Sequence, residues 1–427
     1  MPLSFSRFPS LFDRATLLCT ALFACLVSCG RGPAPPPPPP PPPIGTEFVR
    51  LATQAWPDMV DGHTRESMLA ALAYQMTWLE RSGTDRRWQF GQTTYSSEDM
   101  LASLTRFQEL WLRHYGNWAA LRSALQAEFD LYHWHWDGRP DILFTGYYAP
   151  VFQGSRRPEG IYRYPLYRKP ADLLAIRLDL FDPKFVQPGP AMRGDRLMAR
   201  LDGKRQIVPY FSRADIDQDR VLAGRNLELV YLASYWDNFV FQIQGGGFVQ
   251  LPDGGYLKLD YAGKNGRPYV SVGRLLIEEG IIPRENMSMQ ALTAYFRDNP
   301  DDIARYCFQN ESYVFYQSDG VTHRELRPEL FPHGSLGFPV TTRRSIATDK
   351  KLFPGGGLAF IRGMQHQRQG PPQPFSGFVL DQDTGGAIRE NHIDVFMGAG
   401  DEAEALAGRL KDKRGEVFFL VLKKPGS

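Results

Sequence analysis

The stretch Leu380–Gly398, LDQDTGGAIRENHIDVFMG, combines acidic residues with a Gly-Gly pair between two apolar runs. Its carboxylates are Asp381, Asp383, Glu390 and Asp394. The runs FVLDQD and HIDVFMG are typical of β-strands, so aspartates within them are expected to be partly buried. A buried carboxylate loses its hydration and costs free energy unless it is paired, hydrogen-bonded or protonated. The stretch therefore predicts either structurally satisfied aspartates or a site that uses carboxyl chemistry.

Short β-branched and aromatic runs, broken by Gly, Pro and Asn, fill the chain after Asp141 and predict a mainly β body. One helix, Met287–Pro300, is expected to interrupt them. Predicted strand segments include NFVFQIQGGGFVQLPDGGYLKLDY (238–261) and RPYVSVGRLLIEEG (267–280). Apolar residues recur at intervals of three and four from Glu47 to about Leu131, which predicts N-terminal helices. The expected helical stretches are SMLAALAYQMTWLERSG, which ends at Gly83, SSEDMLASLTRFQELW, and NWAALRSALQAEFDLYHW (117–134).

The N-terminus has the basic start and the short apolar run of a secretory signal, so residues 1–28 are expected to be removed. The run ends in LVSC, Leu26–Cys29, which resembles the bacterial lipobox and predicts lipidation of Cys29. Gly30 follows, and the absence of Asp there favours an outer-membrane anchor that holds the protein in the periplasm. An ordinary signal peptide that happens to contain a cysteine is the alternative.

Residues 29–46 contain an unbroken proline run, Pro35–Pro43, that predicts a stiff polyproline II tether of ~3 Å per residue. Of the four cysteines, only Cys307 lies in the folded body, so no disulfide framework is expected. The apolar core must therefore stabilise the fold by itself. The formal net charge of +2 gives no indication of a nucleic-acid-binding surface.

Other kinds of catalytic site are poorly supported. The histidines His133, His135 and His392 do not form a compact ligand set, so neither a metal nor another cofactor is expected. The chain has no G-x-S-x-G motif, and Cys307 is expected to be a buried apolar residue. The glycine runs QGGGF and PGGGL lack the Lys-Ser/Thr of a phosphate-binding loop, which indicates tight turns.

Carboxylate chemistry remains, and glycoside cleavage generally uses two acidic groups. Asp394 is flanked by Ile393 and Val395, which should desolvate its carboxyl group and raise its pKa toward the range of a general acid. An Asp that caps a turn before Gly398 is the structural alternative, and the composition of the stretch does not exclude it.

Seven ordered segments are similar to those of the membrane-bound lytic murein transglycosylase A family, whose C-terminal part is a three-Asp domain. They are FTGYYAPVF (144–152), FQIQGGGFVQLPDGG (241–255), YAGKNGRPYVSVGRLL (261–276), MSMQAL (287–292), NESYVFY (310–316), ATDKKLFPGG (347–356) and DTGGAIRENHIDVFMGAG (383–400). Asp349, Asp383 and Asp394 match the three aspartates of that domain. The resemblance covers roughly residues 141–422.

The resemblance implies a double-psi β-barrel formed by 47–144 and 318–427, with a smaller β-rich domain, 145–317, inserted between its halves. A substrate groove would separate the two. The implied enzyme is an outer-membrane lipoprotein and a carbon–oxygen lyase, which cleaves the MurNAc–GlcNAc β-1,4 bond of peptidoglycan without water and leaves 1,6-anhydromuramoyl ends. Asp394 would act as general acid and then as base, with Asp383 as its companion. Peptidoglycan glycan strands are the expected partner, cell-wall synthesis enzymes are candidates, and a monomer is expected.

The resemblance also implies substrate-binding residues along the groove. These are Thr145, Tyr147, Gln244, Gly245, Lys264, Asp349, Gly385 and Gly386. The sequence departs from the family at Gly246, where a serine is usual, so a hydroxyl contact is lost. Two other functions stay open: a hydrolase in which Asp383 or Asp349 supplies the second carboxylate, and a noncatalytic peptidoglycan-binding module.

Overall fold

The computed structural model describes most of the chain beyond the predicted tether. The described residues are 47–82, 86–180, 197–367 and 369–424. The predicted signal peptide, the lipidation site Cys29, the tether 29–46 and the predicted helix end at Gly83 lie outside them. Within the described ranges, no helix has the length and hydropathy needed to cross a membrane.

The described body contains both helices and strands, with strands in the majority. The helices are α1 (Arg65–Arg81), α2 (Ser97–His114), α3 (Trp118–Glu128), α4 (Arg213–Asp217), α5 (Tyr235–Gln244), α6 (Val272–Glu278), α7 (Met289–Asp298), α8 (Asp302–Cys307) and α9 (Gly400–Ala407). The first ten strands are β1 (Phe48–Arg50), β2 (Arg87–Phe90), β3 (Thr93–Ser96), β4 (Phe129–Trp134), β5 (Ile142–Ala149), β6 (Val151–Ser155), β7 (Tyr164–Tyr167), β8 (Leu174–Ile176), β9 (Leu197–Leu201) and β10 (Ile207–Pro209). The others are β11 (Glu228–Leu232), β12 (Gly247–Gln250), β13 (Tyr256–Lys264), β14 (Val314–Gln317), β15 (Thr322–His323), β16 (Ser345–Ala347), β17 (Leu358–Gln365), β18 (Gln373–Asp383), β19 (His392–Ala399) and β20 (Lys411–Leu422).

The N-terminal helices and α7 confirm the helices predicted from apolar periodicity and caps. Ser96 and Asp99 form a reciprocal capping box at the start of α2, which satisfies backbone N–H groups that a helix start leaves free. Ser288 caps α7 through the N–H of Ala291. The apolar face of α2 packs on the main sheet, where the rings of Phe107 and Phe378 lie 5.0 Å apart.

Three secondary-structure predictions were wrong. The third N-terminal helix ends at Glu128, and the predicted helical residues Phe129–Trp134 form β4, whose side chains are all buried between its neighbours. The predicted strand residues 238–244 lie in α5, and the predicted strand residues Val272–Glu278 form α6. Short apolar runs do not distinguish a buried strand from a buried helix, so tertiary burial decided these segments.

Six strands close into a barrel. The main sheet has the order β1-β4-β20-β17-β18-β16-β19-β5, and an additional pairing of β20 with β5 closes the ring. The pairs β16/β18 and β19/β5 are parallel, whereas the other pairs of the ring are antiparallel. Helices α1 to α3 share the apolar core of this barrel. The double-psi crossing of its strands stays a prediction.

A second sheet forms from the chain between β5 and β16. Its order is β14-β13-β12-β6-β11-β7, with β15 beside β13. The same part of the chain also forms a separate small sheet with the order β10-β9-β8. The chain passes from β5 into β6 at Pro150, so the end of one sheet leads directly into the other. An apolar cluster joins the two sheets, with Phe396 of β19 contacting the ring of Phe331 at 5.5 Å.

A buried ion pair attaches the segment before α1 to the barrel. Arg344 and Asp61 are both fully buried, with Nη1 2.6 Å from Oδ2 and Nη2 3.1 Å from Oδ1. The remaining N–H groups of the guanidinium donate to Ser67 Oγ and to the carbonyls of Thr64 and Phe378. All five donors of the arginine are therefore satisfied.

Candidate active site

Two aspartates of the C-terminal segment lie on opposite sides of β16. Ala347 of β16 is the cross-strand partner of Asp394 on β19 and also of Asp383 on β18. Directly paired residues on neighbouring strands project their side chains to the same face of a sheet. Since strands lie about 4.8 Å apart, the two Cα atoms are separated by roughly 10 Å. The barrel therefore presents both carboxylates on one face.

Two side chains of β5 donate hydrogen bonds to the two carboxylates. Thr145 is the parallel cross-strand partner of Asp394, and its hydroxyl donates to Asp394 Oδ1 at 2.8 Å. Tyr147, two residues further on the same face of the strand, donates from its phenol to Asp383 Oδ2 at 2.9 Å. Gly146 between them faces α9, where a Cβ would lie 2.7 Å from the Cα of Ala407. This close approach explains the glycine in FTGYY.

Burial raises the pKa of Asp394 to about 7, against the lowering effect of the Thr145 hydrogen bond and with a further increase from the Asp383 charge. The Asp394 side chain nevertheless keeps some exposure. Its carboxyl group is therefore surrounded by enough protein to stay protonated near neutral pH and can still be reached by a substrate. These are the properties of a general acid.

Asp383 lies in a cradle of donors. Its Oδ1 accepts from the backbone N–H groups of Ser335 at 2.9 Å and Thr384 at 2.8 Å, and its Oδ2 accepts from Tyr147. Burial raises the pKa of Asp383, and these donors act in the opposite direction. Both carboxylate oxygens are thus occupied by protein donors, which makes Asp383 a fixed electrostatic neighbour of Asp394.

The segment that carries Ser335 also touches the second sheet. His333 donates its backbone N–H to Asp260 Oδ1 at 3.0 Å, and its ring Nδ1 lies 3.2 Å from Asp260 Oδ2. Asp260 belongs to β13 and also pairs with Lys258 at 3.0 Å. One short segment therefore contacts both an aspartate of the barrel and a charged pair of the second sheet.

Three residues that the sequence predicts to bind substrate lie in the segments after β16 and β18. They are Asp349, Gly385 and Gly386. Asp349 is 7% exposed and accepts from the backbone N–H groups of Lys351 and Glu390. The carbonyl of Gly385 accepts from Arg389, whereas a Cβ at Gly386 would meet no atom within 4 Å. Gly386 therefore leaves open space beside the loop that follows Asp383.

Of the predicted residues in the inserted part of the chain, Gln244 contacts β5 directly. Gln244 Oε1 accepts from the backbone N–H of Tyr148 at 3.3 Å, and Gly245 ends α5 in the left-handed conformation with φ 82°. Lys264 is exposed at the end of β13, paired with β14. At Gly246 a Cβ would lie 3.0 Å from the carbonyl of Leu259, so a serine there would require its neighbours to move.

Sequence reasoning missed three groups around the aspartates. His392 Nε2 lies 2.7 Å from the Thr145 hydroxyl, and Ser335 and Thr384 hold Asp383 through their backbones. Alternation along β19 could have identified His392, because it lies two residues before Asp394 and therefore on the same face. No local pattern marks Ser335, which is 48 residues from Asp383.

The chain is similar to known proteins over most of its length. The protein family described as MltA specific insert domain matches residues 143–317, and the family described as 3D domain matches residues 344–421. The membrane-bound lytic murein transglycosylase A of Vibrio cholerae is 30% identical over 291 residues, 67% of each chain. The Escherichia coli K12 protein of the same name is 30% identical over 307 residues, 70% of each chain. The chain belongs to the membrane-bound lytic murein transglycosylase A family.

Solved structures of this transglycosylase family share the fold. A membrane-bound lytic murein transglycosylase from Agrobacterium tumefaciens is 25% identical, with a TM-score of 0.68 over 88% of this chain and 98% of that one. The monoclinic form of MltA from Neisseria gonorrhoeae is 26% identical, with a TM-score of 0.65 over 90% and 97%. The resemblance found in the sequence is confirmed, together with a mainly β, two-domain fold.

Within the described residues, no group of three or more His, Cys, Asp or Glu side chains is arranged to hold a metal ion. The titratable groups around Asp394 include Asp383, Tyr147 and His392, the last joined to it through Thr145. This arrangement can supply and accept a proton at one carboxyl group. It can also stabilise the charge that appears there.

Proposed function

We propose that the protein, as a peptidoglycan lytic transglycosylase, cleaves the MurNAc–GlcNAc β-1,4 bond and leaves 1,6-anhydromuramoyl ends. The observation that carries the mechanism is Asp394, a partly accessible carboxyl group whose pKa is raised to about 7 by burial. Membership of the transglycosylase A family supports the substrate class. A crystal structure of E. coli MltA with bound chitohexaose supports a glycan in the site.

The reaction needs one carboxyl group because the substrate contains its own nucleophile. Protonated Asp394 donates its proton to the leaving GlcNAc O4 as the bond to the muramoyl C1 breaks. The C6 hydroxyl of the same muramoyl residue then bonds to C1, with the advantage of an intramolecular attack. The Asp394 carboxylate takes the proton of that hydroxyl, so the enzyme returns to its starting state without water.

The hydrogen bonds of Asp383 favour this reaction over two-carboxylate hydrolysis. A second catalytic carboxylate has to bond to C1 or to deprotonate a water molecule. Both oxygens of Asp383 already accept hydrogen bonds, from Ser335, Thr384 and Tyr147. In our proposal Asp383 therefore tunes Asp394 through its charge and does not itself react.

The products on purified sacculi test the proposal. Mass spectrometry should find 1,6-anhydromuramoyl ends, no reducing MurNAc ends, and no oxygen-18 in products formed in labelled water. Reducing ends that carry the label would establish hydrolysis instead. Binding to sacculi without any new ends would indicate the noncatalytic module.

The rate should fall as the pH rises through about 7, because the acid step needs protonated Asp394 and its pKa is raised to about 7. The charge of Asp383 contributes to that increase. Asp383→Asn removes this charge, so the pKa of Asp394 should fall and the alkaline limb of the pH–kcat profile should move to lower pH. Asp298→Asn, at an exposed position, is the control and should leave the limb unchanged. A limb that stays in place or moves upward in Asp383→Asn would contradict this coupling.

We propose the domain division that the sequence predicted, except that the first boundary moves from 145 to Pro150, with the glycan between the barrel and the second sheet. The strands β5 and β16 to β20 form the closed ring, and the strands β6 to β15 lie between them in the chain. The inserted domain then starts after β5, at Pro150. A monomer that binds glycan strands is sufficient for the reaction, and cell-wall synthesis enzymes remain predicted partners.

We also propose that a lipid on Cys29 anchors the protein in the outer membrane, facing the periplasm. The support is the LVSC sequence and the description of the relatives as membrane-bound. Cys29→Ser should release the protein in soluble form while its activity on isolated sacculi is kept. A wild-type protein that is soluble and unlipidated in its own host would exclude the anchor.

A further inference from the structure

A continuous row of polar side chains leads away from Asp394. The Thr145 hydroxyl oxygen lies 2.8 Å from Asp394 Oδ1 and 2.7 Å from His392 Nε2. Both distances lie within the normal range for hydrogen bonds of these atom types. His392 and Asp394 lie on one face of β19, and Thr145 lies opposite Asp394 on β5. The geometry of two strands therefore fixes the row.

The Thr145 hydroxyl has a single proton, so its two contacts cannot be independent. If that proton is donated to Asp394 Oδ1, the contact with His392 requires an N–H on Nε2 that donates to the Thr145 oxygen. The two hydrogen bonds of the row then run in one direction. The imidazole N–H donates to the Thr145 oxygen, and the Thr145 hydroxyl donates to the carboxylate.

We infer that His392 is a positioning residue of the reaction, which holds the Thr145 hydroxyl as a donor toward Asp394. This inference rests on the proposed function. Donation to Oδ1 leaves the acid proton on Oδ2, for which the described residues supply no hydrogen-bond partner. Oδ2 is therefore the oxygen that gives its proton to the glycosidic oxygen.

The same row stabilises the charge that the acid step produces. When Oδ2 loses its proton, the negative charge of Asp394 is met by a hydroxyl that is already oriented toward it. Donors arranged before the reaction stabilise a developing charge without reorganisation. Hydrogen bonds in a chain also strengthen one another, so the imidazole N–H makes Thr145 a better donor.

Several other charged or titratable groups lie beside the row, and the substitutions of the test leave these groups in place. They are Asp383 on β18, Tyr147 on β5 and Lys411 on β20, the cross-strand partner of Thr145. Glu404 of α9 is directed to Tyr148 instead. Burial lowers the pKa of His392, against the raising effect of a hydrogen bond with the Ala387 backbone. A change in kcat or in the pKa of Asp394 on replacing His392 therefore reports the loss of the hydrogen bond to Thr145.

The test compares His392→Gln with His392→Asn in the full chain, using the release of 1,6-anhydromuramoyl ends from sacculi. A Gln side chain can place an amide N–H near the position of Nε2, whereas Asn is one bond too short. We expect His392→Gln to keep a rate near that of the wild type and His392→Asn to lose about tenfold in kcat, with KM unchanged. Thermal unfolding of both variants checks that the fold is intact.

The pH profile identifies the direction of the row. Loss of the donor in His392→Asn should raise the pKa of Asp394 and move the alkaline limb to higher pH. If Asp394 instead donated to Thr145 and Thr145 to His392, the same substitution would move that limb to lower pH. A downward shift, or equal rates for the Gln and Asn variants, would overturn the inference.

A double-mutant cycle with Thr145→Val tests whether His392 acts on Asp394 through the Thr145 hydroxyl or independently of it. Val keeps the shape of Thr but has no hydroxyl, so the row is broken in the single variant. If His392 acts through that hydroxyl, His392→Asn should cost little more in the Thr145→Val background. Additive losses would contradict the inference. The wild-type products test the proposed function separately, because they depend on neither variant.

Discussion

The Asn variant of Asp394 is expected to lower kcat on purified sacculi by roughly 10²- to 10⁴-fold, the contribution of a general acid–base group. Asn has almost the same shape as Asp, and its carbonyl oxygen can still accept from Thr145. It can neither donate the proton to the leaving oxygen nor accept the proton of the C6 hydroxyl. The release of anhydromuramoyl ends measures the loss.

Asp383→Asn is the matched control, because both substitutions remove one carboxyl group from the same face of the barrel. Its loss should be smaller, since Asp383 acts on Asp394 through its charge. Both variants should bind sacculi and unfold at the wild-type temperature. A near-normal rate for Asp394→Asn would exclude it as the acid, and a larger loss for Asp383→Asn would exchange the two roles.

Asp61→Ala is expected to lower the free energy of unfolding by about 3–5 kcal/mol, the typical cost of breaking a buried ion pair. Asp61 and Arg344 are 0% exposed, and Asp61 also accepts from the backbone N–H groups of His63 and Phe378. Its removal leaves the guanidinium charge of Arg344 buried without its counterion. Urea unfolding of the purified soluble protein measures the effect.

Asp298→Ala is the control for this prediction, because it removes a carboxylate from an exposed ion pair with Arg297. Exposed pairs contribute little, so the free energy of unfolding should change far less than in Asp61→Ala. A loss for Asp61→Ala no larger than that of the control would mean that water or another donor compensates the buried arginine. Asp61 would then contribute less to the free energy of unfolding than its burial indicates.

Local patterns predicted much of the fold because they act over a few residues. Caps such as Ser96 and Ser288 lie within one turn of the groups that they satisfy, so the start of α2 and α7 could be predicted. Burial overrode local patterns elsewhere. The run Phe129–Trp134 follows a helix and has helical spacing, but pairing with β20 makes it a strand. Residues 238–242 of α5 are all buried, so apolar periodicity could not identify this segment as a helix.

The sequence by itself determined the candidate residues for the chemistry. The acids Asp383 and Asp394, their strand context and the family to which the chain belongs all follow from the order of residues. Only the tertiary structure decided what these acids contact. Thr145 is 249 residues from Asp394 and Tyr147 is 236 residues from Asp383. These contacts depend on the register of β5 against β19 and on the closure of the barrel. The pKa of Asp394 depends on them in turn, because burial and neighbouring charges exist only once the strands are assembled.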